Sequence, residues 1–291
     1  MRKRYEQKTA EGIYAWKLED YFSRHNGAVV SYSGGVDSAL IAFVAHLVLG
    51  RSMVAAMADS PSLSRREYRF ALNFARKHGI PLKIVHTGEM ENPLYRANRS
   101  DRCYLCKKAL FESLRELSDQ TSSPIAEPSW PVFYGANRDD LGDYRPGTRA
   151  ARESTILSPY IELGFDKQII RAVSAYYGLE SADKPAMPCM SSRIVYGEEV
   201  TVEKLNQVEK AEELLYELGL SVLRVRHHGD TARIEVPPKD FRTLLENREK
   251  IAEKLHELGF IYIALDMDGF RSGSLNAVLD GPGNMTLKGG H

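Results

Sequence analysis

Three groups of residues in this chain have the types and spacing for chemistry. The first is Ser33-Gly34-Gly35-Val36-Asp37-Ser38. Adjacent glycines let the backbone approach an anion, and free N–H groups at the start of a following helix would face it. The lysine of the GxxxxGK[ST] phosphate loop is missing. Asp37 suits either a Mg²⁺ ion or a helix cap. The second group is the chain's three cysteines: Cys103 and Cys106 form a CxxC, and Cys189 stands in Pro188-Cys189-Met190-Ser191-Ser192-Arg193. This set is compatible with zinc, a redox disulfide or an iron–sulfur cluster. Three thiolates on a [4Fe–4S] cluster would leave one iron open to an exogenous sulfide. The third group is Val222-Leu223-Arg224-Val225-Arg226-His227-His228. Read as a strand, its period of two puts Arg224, Arg226 and His228 on one face. That face suits a phosphate or carboxylate, with Arg giving bidentate geometry; Ser192 and Arg193 would reach the same ligand. The alternative is a solvated face paired with carboxylates such as Glu235.

The elements that must hold these groups follow from apolar patterning. Gly27–Tyr32, Ser52–Met57, Leu82–Val85 and Pro131–Gly135 read as strands, separated by helical stretches over Ser38–Leu49, Ser64–His78 and Arg102–Leu117. Strands alternating with helices predict a parallel, doubly wound sheet that binds its ligand at the carboxyl ends of the strands. A proline-rich hinge at Asp183–Pro188 separates residues 1–182 from a smaller α+β domain at 183–291. There, Thr201–Leu218 is a charged helix ended by Gly219. Val222–His227 and Thr231–Val236 are strands around a His228-Gly229-Asp230 turn, and Ile261–Leu265 is a further strand. The stretch between Gln120 and Ser129 reads as a loop and Met285–His291 as a frayed tail. His46 and His78 lie in helical patterns and read as structural.

The chain is long enough for two unequal domains at 291 residues, and 43% hydrophobic content supplies a core without disulfides. Lys plus Arg and Asp plus Glu both count 39, which argues against a dedicated nucleic-acid coat protein and leaves room for a local basic patch. No apolar run approaches the roughly 20 residues of a membrane span, and no secretory leader is visible. An odd, sparse set of cysteines is no disulfide framework and points to a reducing cytoplasm.

The hexapeptide at Ser33–Ser38 resembles the SGGxDS loop of the PP-loop ATP pyrophosphatases, which cleave ATP between its α and β phosphates. Most of the chain resembles the LarE family of ATP-dependent sulfur transferases, which mature the nickel-pincer cofactor of lactate racemase. The resemblance runs through Asp59-Ser60-Pro61, Glu91–Tyr95, Arg102–Lys107, Gly135–Gly147, Asp183–Ala186 and Pro188–Arg193. It implies an adenine nucleotide α-hydrolase-like parallel sheet and ATP contacts from Ser33, Gly34, Gly35, Asp37, Ser38, Ser60, Gly135 and Asn137. It also implies Mg²⁺ and catalytic roles for Asp37, Ser38 and Cys189. The implied substrate is pyridinium-3,5-biscarboxylic acid mononucleotide, with Ser192, Arg193, Arg224 and Arg226 as its expected contacts. In some members the cysteine matching Cys189 is sacrificed to dehydroalanine. Others hold a three-cysteine [4Fe–4S] cluster that delivers sulfide, and the CxxC places this chain with those, through Cys103, Cys106 and Cys189. The resemblance further implies a sulfide or other sulfur donor and a homo-oligomer. The chief rival is a PP-loop tRNA thiolase, disfavoured by the zero net charge and the lack of a visible tRNA-binding module. An ammonia-using ligase would not need these cysteines, and a non-catalytic nucleotide sensor would not need the complete loop.

Overall fold

The computed structural model describes residues 9–121, 129–141, 146–271 and 274–275. The expected loop after Gln120, the expected tail and part of the Gly135–Gly147 string lie outside the described residues. The chain divides into two compact units. One comprises the chain up to Asn92 together with Asp101–Met187; the other comprises Pro93–Ser100 together with the chain from Pro188 onward.

The first unit is built on a four-stranded sheet in the order β3-β2-β1-β4, with β1 at Ala28–Ser31, β2 at Met53–Ala58, β3 at Leu82–Val85 and β4 at Val132–Phe133. Every pairing is parallel. The strands are short and apolar because both faces are covered. Ala28, Val30, Ala55 and Met57 point into a core shared with helices α1 (Ala10–Ser23), α2 (Val36–Leu49) and α3 (Arg65–Lys77). Val29, Ala56 and Val85 point the other way, against Phe111, Leu114 and Leu117. Helix α4 (Pro93–Arg96) is a single turn that belongs to the second unit. The three apolar residues lie on α5 (Arg102–Asp119), which packs on α6 (Pro146–Glu153).

Helix α2 is apolar on all sides, with Leu40, Ile41, Ala42 and Val44 each at 0% exposure. Burying one such Leu or Ile contributes roughly 1.5–3 kcal/mol, so α2 is anchored along its length and its N-terminus is held at the edge of the sheet. Two later helices complete the unit, α7 (Pro159–Leu163) and α8 (Lys167–Tyr176). Helix α7 is too short to show a period, whereas α8 carries a capping Asp166 and an apolar stripe at Ile170 and Val173 that the strand–helix alternation read from the sequence does not include; both matter to the site. The parallel sheet expected from the strand–helix alternation is present.

The second unit carries α9 (Val202–Glu217), a strand pair β5 (Arg224–His228) and β6 (Thr231–Glu235), helices α10 (Phe241–Glu246) and α11 (Arg248–Glu257), and β7 (Tyr262–Leu265). The sheet order is β5-β6-β7, with an antiparallel and then a parallel pairing. Thr201 caps α9 by accepting from the Lys204 N–H at 3.3 Å. The segment around Pro93–Ser100 is tied to this unit by Asn98, wholly buried at φ +53. Its amide nitrogen donates to the carbonyls of Ile194, Val195 and Glu198.

Candidate functional site

The carboxyl end of β1 runs into the Ser33–Ser38 loop and so into the start of α2. Gly34 has φ +72, and a Cβ there would sit 2.6 Å from the Ala71 Cβ, so only glycine fits. Ser38 folds back under the loop. Its hydroxyl accepts from the Ser33 N–H at 3.1 Å and donates to the Gly35 carbonyl at 3.2 Å. Gly35 caps α2 without a side-chain hydrogen bond. The first N–H groups of the helix are therefore left for an anion, with the helix dipole behind them.

Asp37 sits in the first turn of α2 but is no side-chain cap. Its Oδ2 lies 2.5 Å from Lys167 Nζ, and its backbone carbonyl accepts from the Tyr160 hydroxyl at 2.8 Å. Its Oδ1 is buried and has no hydrogen-bond partner among the described residues. Such an oxygen costs free energy unless a ligand takes it, and a hard carboxylate oxygen is what Mg²⁺ prefers. The residue fits the ion that the loop implies.

Two cationic groups that sequence reasoning missed converge on this loop. Lys167 opens α8, 130 residues from Asp37. It is steadied by its own N–H, which donates to Asp139 Oδ2 at 3.0 Å. Lys184, from the hinge sequence, donates to the Gly34 carbonyl at 3.2 Å and pairs with Glu67 at 2.7 Å. Its ammonium stands 3.6 Å from the centre of the Phe70 ring. Burial holds its pKa below the ordinary lysine value despite Glu67. Nothing in the local sequence signals the Lys167 contact, while Lys184 stands in the Asp183–Ala186 string that carries the family resemblance.

The other expected nucleotide contacts surround the same edge of the sheet. Gly135 follows β4, and a Cβ there would lie 3.1 Å from the Asp37 Cβ and 3.3 Å from the Ser38 nitrogen. The side chains of Ser60 and Asn137 are 5% and 4% exposed as whole residues and hold their own loops. Ser60 donates to the buried Glu89 and accepts from the Ser62 N–H. Asn137 Oδ1 accepts from the Asp139 N–H at 3.0 Å.

Cys103 and Cys106 lie one turn apart at the start of α5, so their side chains share a face. Cys189 is exposed and caps a short 3₁₀ turn, Met190–Arg193, in the second unit. No disulfide joins any of them. Among the described residues no group of three or more His, Cys, Asp or Glu is gathered as a metal site.

In the second unit Arg193 and Arg226 are each 1% exposed and each forks onto a buried carboxylate. Arg193 reaches Glu212 through Nε and Nη2 at 2.9 and 3.1 Å. Arg226 reaches Glu235 in the same way at 3.0 and 3.1 Å. The alternation expected in β5 is present, and at Arg226 the alternative of pairing with Glu235 is the one found, on a buried rather than a solvated face. Arg224 differs. Its guanidinium lies 4.6 Å from the centre of the Phe270 ring. Burial, then the neighbouring Arg226 and Arg193, push its pKa down to about 10. It stays cationic at neutral pH, in a setting that favours an added anion. Ser192 is tied locally, its hydroxyl donating to the Cys189 carbonyl at 2.7 Å.

A parallel α/β sheet with a glycine loop open at its carboxyl edge, no loop lysine, and lysines arriving from elsewhere defines a nucleotide-binding domain of the PP-loop class. The NAD synthase family matches residues 16–110, which cover the loop and the first three strands. An uncharacterized protein of Synechocystis is 44% identical over 264 residues, 90% of this chain and 96% of that protein. The pyridinium-3,5-bisthiocarboxylic acid mononucleotide synthase of Lactiplantibacillus plantarum is 34% identical over 86% of this chain and 89% of its own length. An uncharacterized protein of Methanocaldococcus jannaschii is 27% identical over 84% of this chain. The chain belongs to the LarE family. No helix among the described residues is long and apolar enough to cross a membrane.

Proposed function

We propose that this protein is an ATP-dependent sulfur transferase acting on pyridinium-3,5-biscarboxylic acid mononucleotide. The observation that carries the reading is the open SGGVDS loop, in a chain that matches the Lactiplantibacillus synthase over nearly its whole length. A carboxylate is a poor electrophile because an oxide ion will not leave. Attack of its oxygen on the α-phosphorus of ATP releases pyrophosphate and leaves an acyl adenylate. A sulfur nucleophile then adds to the acyl carbon, and AMP departs with the original oxygen. Two rounds give the bis-thiocarboxylate. In this reading Ser33, Gly34, Gly35 and Ser38 cradle the phosphates, Asp37 holds Mg²⁺ and Lys167 supplies the cation that the loop lacks. Ser60, Gly135 and Asn137 shape the nucleotide's surroundings. Arg224, with Ser192, is best suited to the mononucleotide's phosphate or carboxylate.

The sulfur route follows the cysteines. Cys103, Cys106 and Cys189 would hold a [4Fe–4S] cluster, which supplies a sulfide nucleophile when bound. Two thiols on one helical face support this, since a CxxC adds nothing to a mechanism that sacrifices Cys189. In this reading residues 1–182 activate and 183–291 bind substrate, except that the chain as far as Met187, with Lys184 at the phosphate loop, goes with the activating unit and Pro93–Ser100 with the other. We further propose a cytoplasmic homo-oligomer supplied with sulfide or an equivalent donor.

The test is anaerobic turnover with ATP, Mg²⁺, the mononucleotide and sulfide. It follows pyrophosphate release, product mass, protein-bound iron and intact-protein mass. Cys103→Ala, Cys106→Ala and Cys189→Ala should each keep pyrophosphate release and lose both iron and thiocarboxylate. Stoichiometric dehydroalanine at position 189, with no iron bound, would overturn the cluster route. Absence of pyrophosphate release from the wild type would overturn the whole reading.

A further inference from the structure

We propose that Arg193 and Arg226 are positioning residues that fix the backbone on which Cys189 is presented, and are not ligands of the mononucleotide. The inference deepens the sulfur-transfer reading and rests on it only for the step affected.

Each guanidinium divides its donors in the same way. Nε and Nη2 of Arg193 take both oxygens of Glu212, while Nη1 turns outward to the Pro188 carbonyl at 2.5 Å and the Cys189 carbonyl at 3.2 Å. Nε and Nη2 of Arg226 take both oxygens of Glu235, while Nη1 donates to the Ser192 carbonyl at 2.6 Å. The carbonyls on either side of Cys189 belong to the two peptide planes that flank its Cα. Pinning both planes leaves φ and ψ little freedom, because the peptide units are rigid. Cys189 is held at φ −60 and ψ 155. Its carbonyl also accepts from the Ser192 N–H at 3.0 Å. From the other side, Tyr95 and Ser191 share a hydroxyl–hydroxyl hydrogen bond at 2.8 Å. What remains free is the rotation of an exposed thiol about its own Cα–Cβ bond.

Only arginine performs this task, since its planar fork has donors on two edges and an ammonium does not. The carboxylates are equally committed. Glu212 Oε1 also accepts from the Val225 N–H at 3.1 Å, tying the clamp to β5. Glu235 is wholly buried and also receives Arg233 at 3.0 Å. With both arginines 1% exposed, little of either guanidinium is left for a phosphate.

The test compares the full-length protein with Arg193→Lys and Arg226→Lys, which keep the charge and lose the fork. The Arg193→Gln/Glu212→Gln pair removes both buried charges together, in case the single variants fail to fold. Hydrogen exchange in the ligand-free protein reads the amides of Ser192 and Ile194, which bond within the turn. They should exchange about tenfold faster or more, with the amides of α2 and α3 in the first unit unchanged. Kinetics should show thiocarboxylate formation lowered about tenfold or more, with the mononucleotide KM and pyrophosphate release unchanged within about twofold. Unchanged exchange with a raised mononucleotide KM would overturn the proposal and make these arginines ligands. If exchange quickens as expected but even the wild type forms no thiocarboxylate, the clamp stands and the sulfur-transfer reading falls.

Discussion

The contact between Lys167 and Asp37 makes a prediction that local sequence could not. Lys167→Met keeps the length and the apolar stem and removes the ammonium. That ammonium stands 2.5 Å from Asp37 Oδ2, beside the start of α2. A triphosphate there would share it. A charge-assisted hydrogen bond is worth about 1.5–3 kcal/mol, or roughly one to two decades in affinity. The lysine and aspartate side chains are 33% and 25% exposed, so screening takes the effect toward the lower end. The ATP Kd, measured by calorimetry with Mg²⁺ present, should therefore rise about 10- to 30-fold. Removing the lysine also leaves Asp37 as an uncompensated negative charge facing a polyanion. Adding Asp37→Asn should then recover part of the affinity for metal-free ATP, a coupling that two independent sites would lack. Raising the salt concentration should narrow the gap between wild type and Lys167→Met. A variant that folds normally and binds ATP within about twofold of wild type would refute a phosphate role for Lys167.

Two further outcomes test the scaffold. Gly34→Ala forces a side chain into φ +72 and against the Ala71 Cβ. It should cost about 2–4 kcal/mol in urea unfolding, from conformational strain and overpacking together. Adding Ala71→Gly should return only the overpacking share. His227 and His228 both have pKa values below the ordinary histidine value, through burial first and then nearby Lys204 for His227 and Arg233 for His228. The unfolded chain then binds more protons than the folded one below about pH 6.5. The stability due to these residues is fully present above that pH and is lost as pH falls toward their depressed folded values. Urea midpoints from pH 8 to pH 5 should fall, and His227→Gln should flatten the slope.

Much of the first unit was legible because its signals are local. The apolar runs of β1 to β3 and the glycine loop between β1 and α2 announce themselves within a few residues. Helix α9 was read to within a residue at each end, since Thr201 caps it and Gly219 follows it. Helices α1, α7 and α8 were not read. The reason differs for each: the buried face of α1 is mostly small or single apolar residues, Gly12, Ala15, Leu18 and Phe22, α7 is only five residues long, and α8 is a ten-residue helix whose buried stripe is short, Ile170, Val173 and Ser174. Nor could periodicity show that Pro93–Ser100 leaves the first unit, because the tie is made by Asn98 to carbonyls about a hundred residues later.

The candidate site divides along the same line, and charge pairing is where sequence reasoning stops. A period of two shows that Arg224 and Arg226 share a face, but it cannot show which carboxylate lies opposite each one. Glu235 lies opposite Arg224 in the strand register, yet its carboxylate reaches diagonally to Arg226, and Arg224 is left beside Phe270. Those two outcomes turn residues of one type, two positions apart, into a clamp and an anion-binding candidate. The phosphate loop makes the converse point. Its missing lysine reads as a deficit in the motif, yet the fold supplies two ammonium groups, one from 130 and one from 150 residues away. Neither lysine can be exchanged for a loop lysine without moving α8 or the hinge. The geometry of the ATP site is therefore set by the whole first unit rather than by the hexapeptide that advertises it.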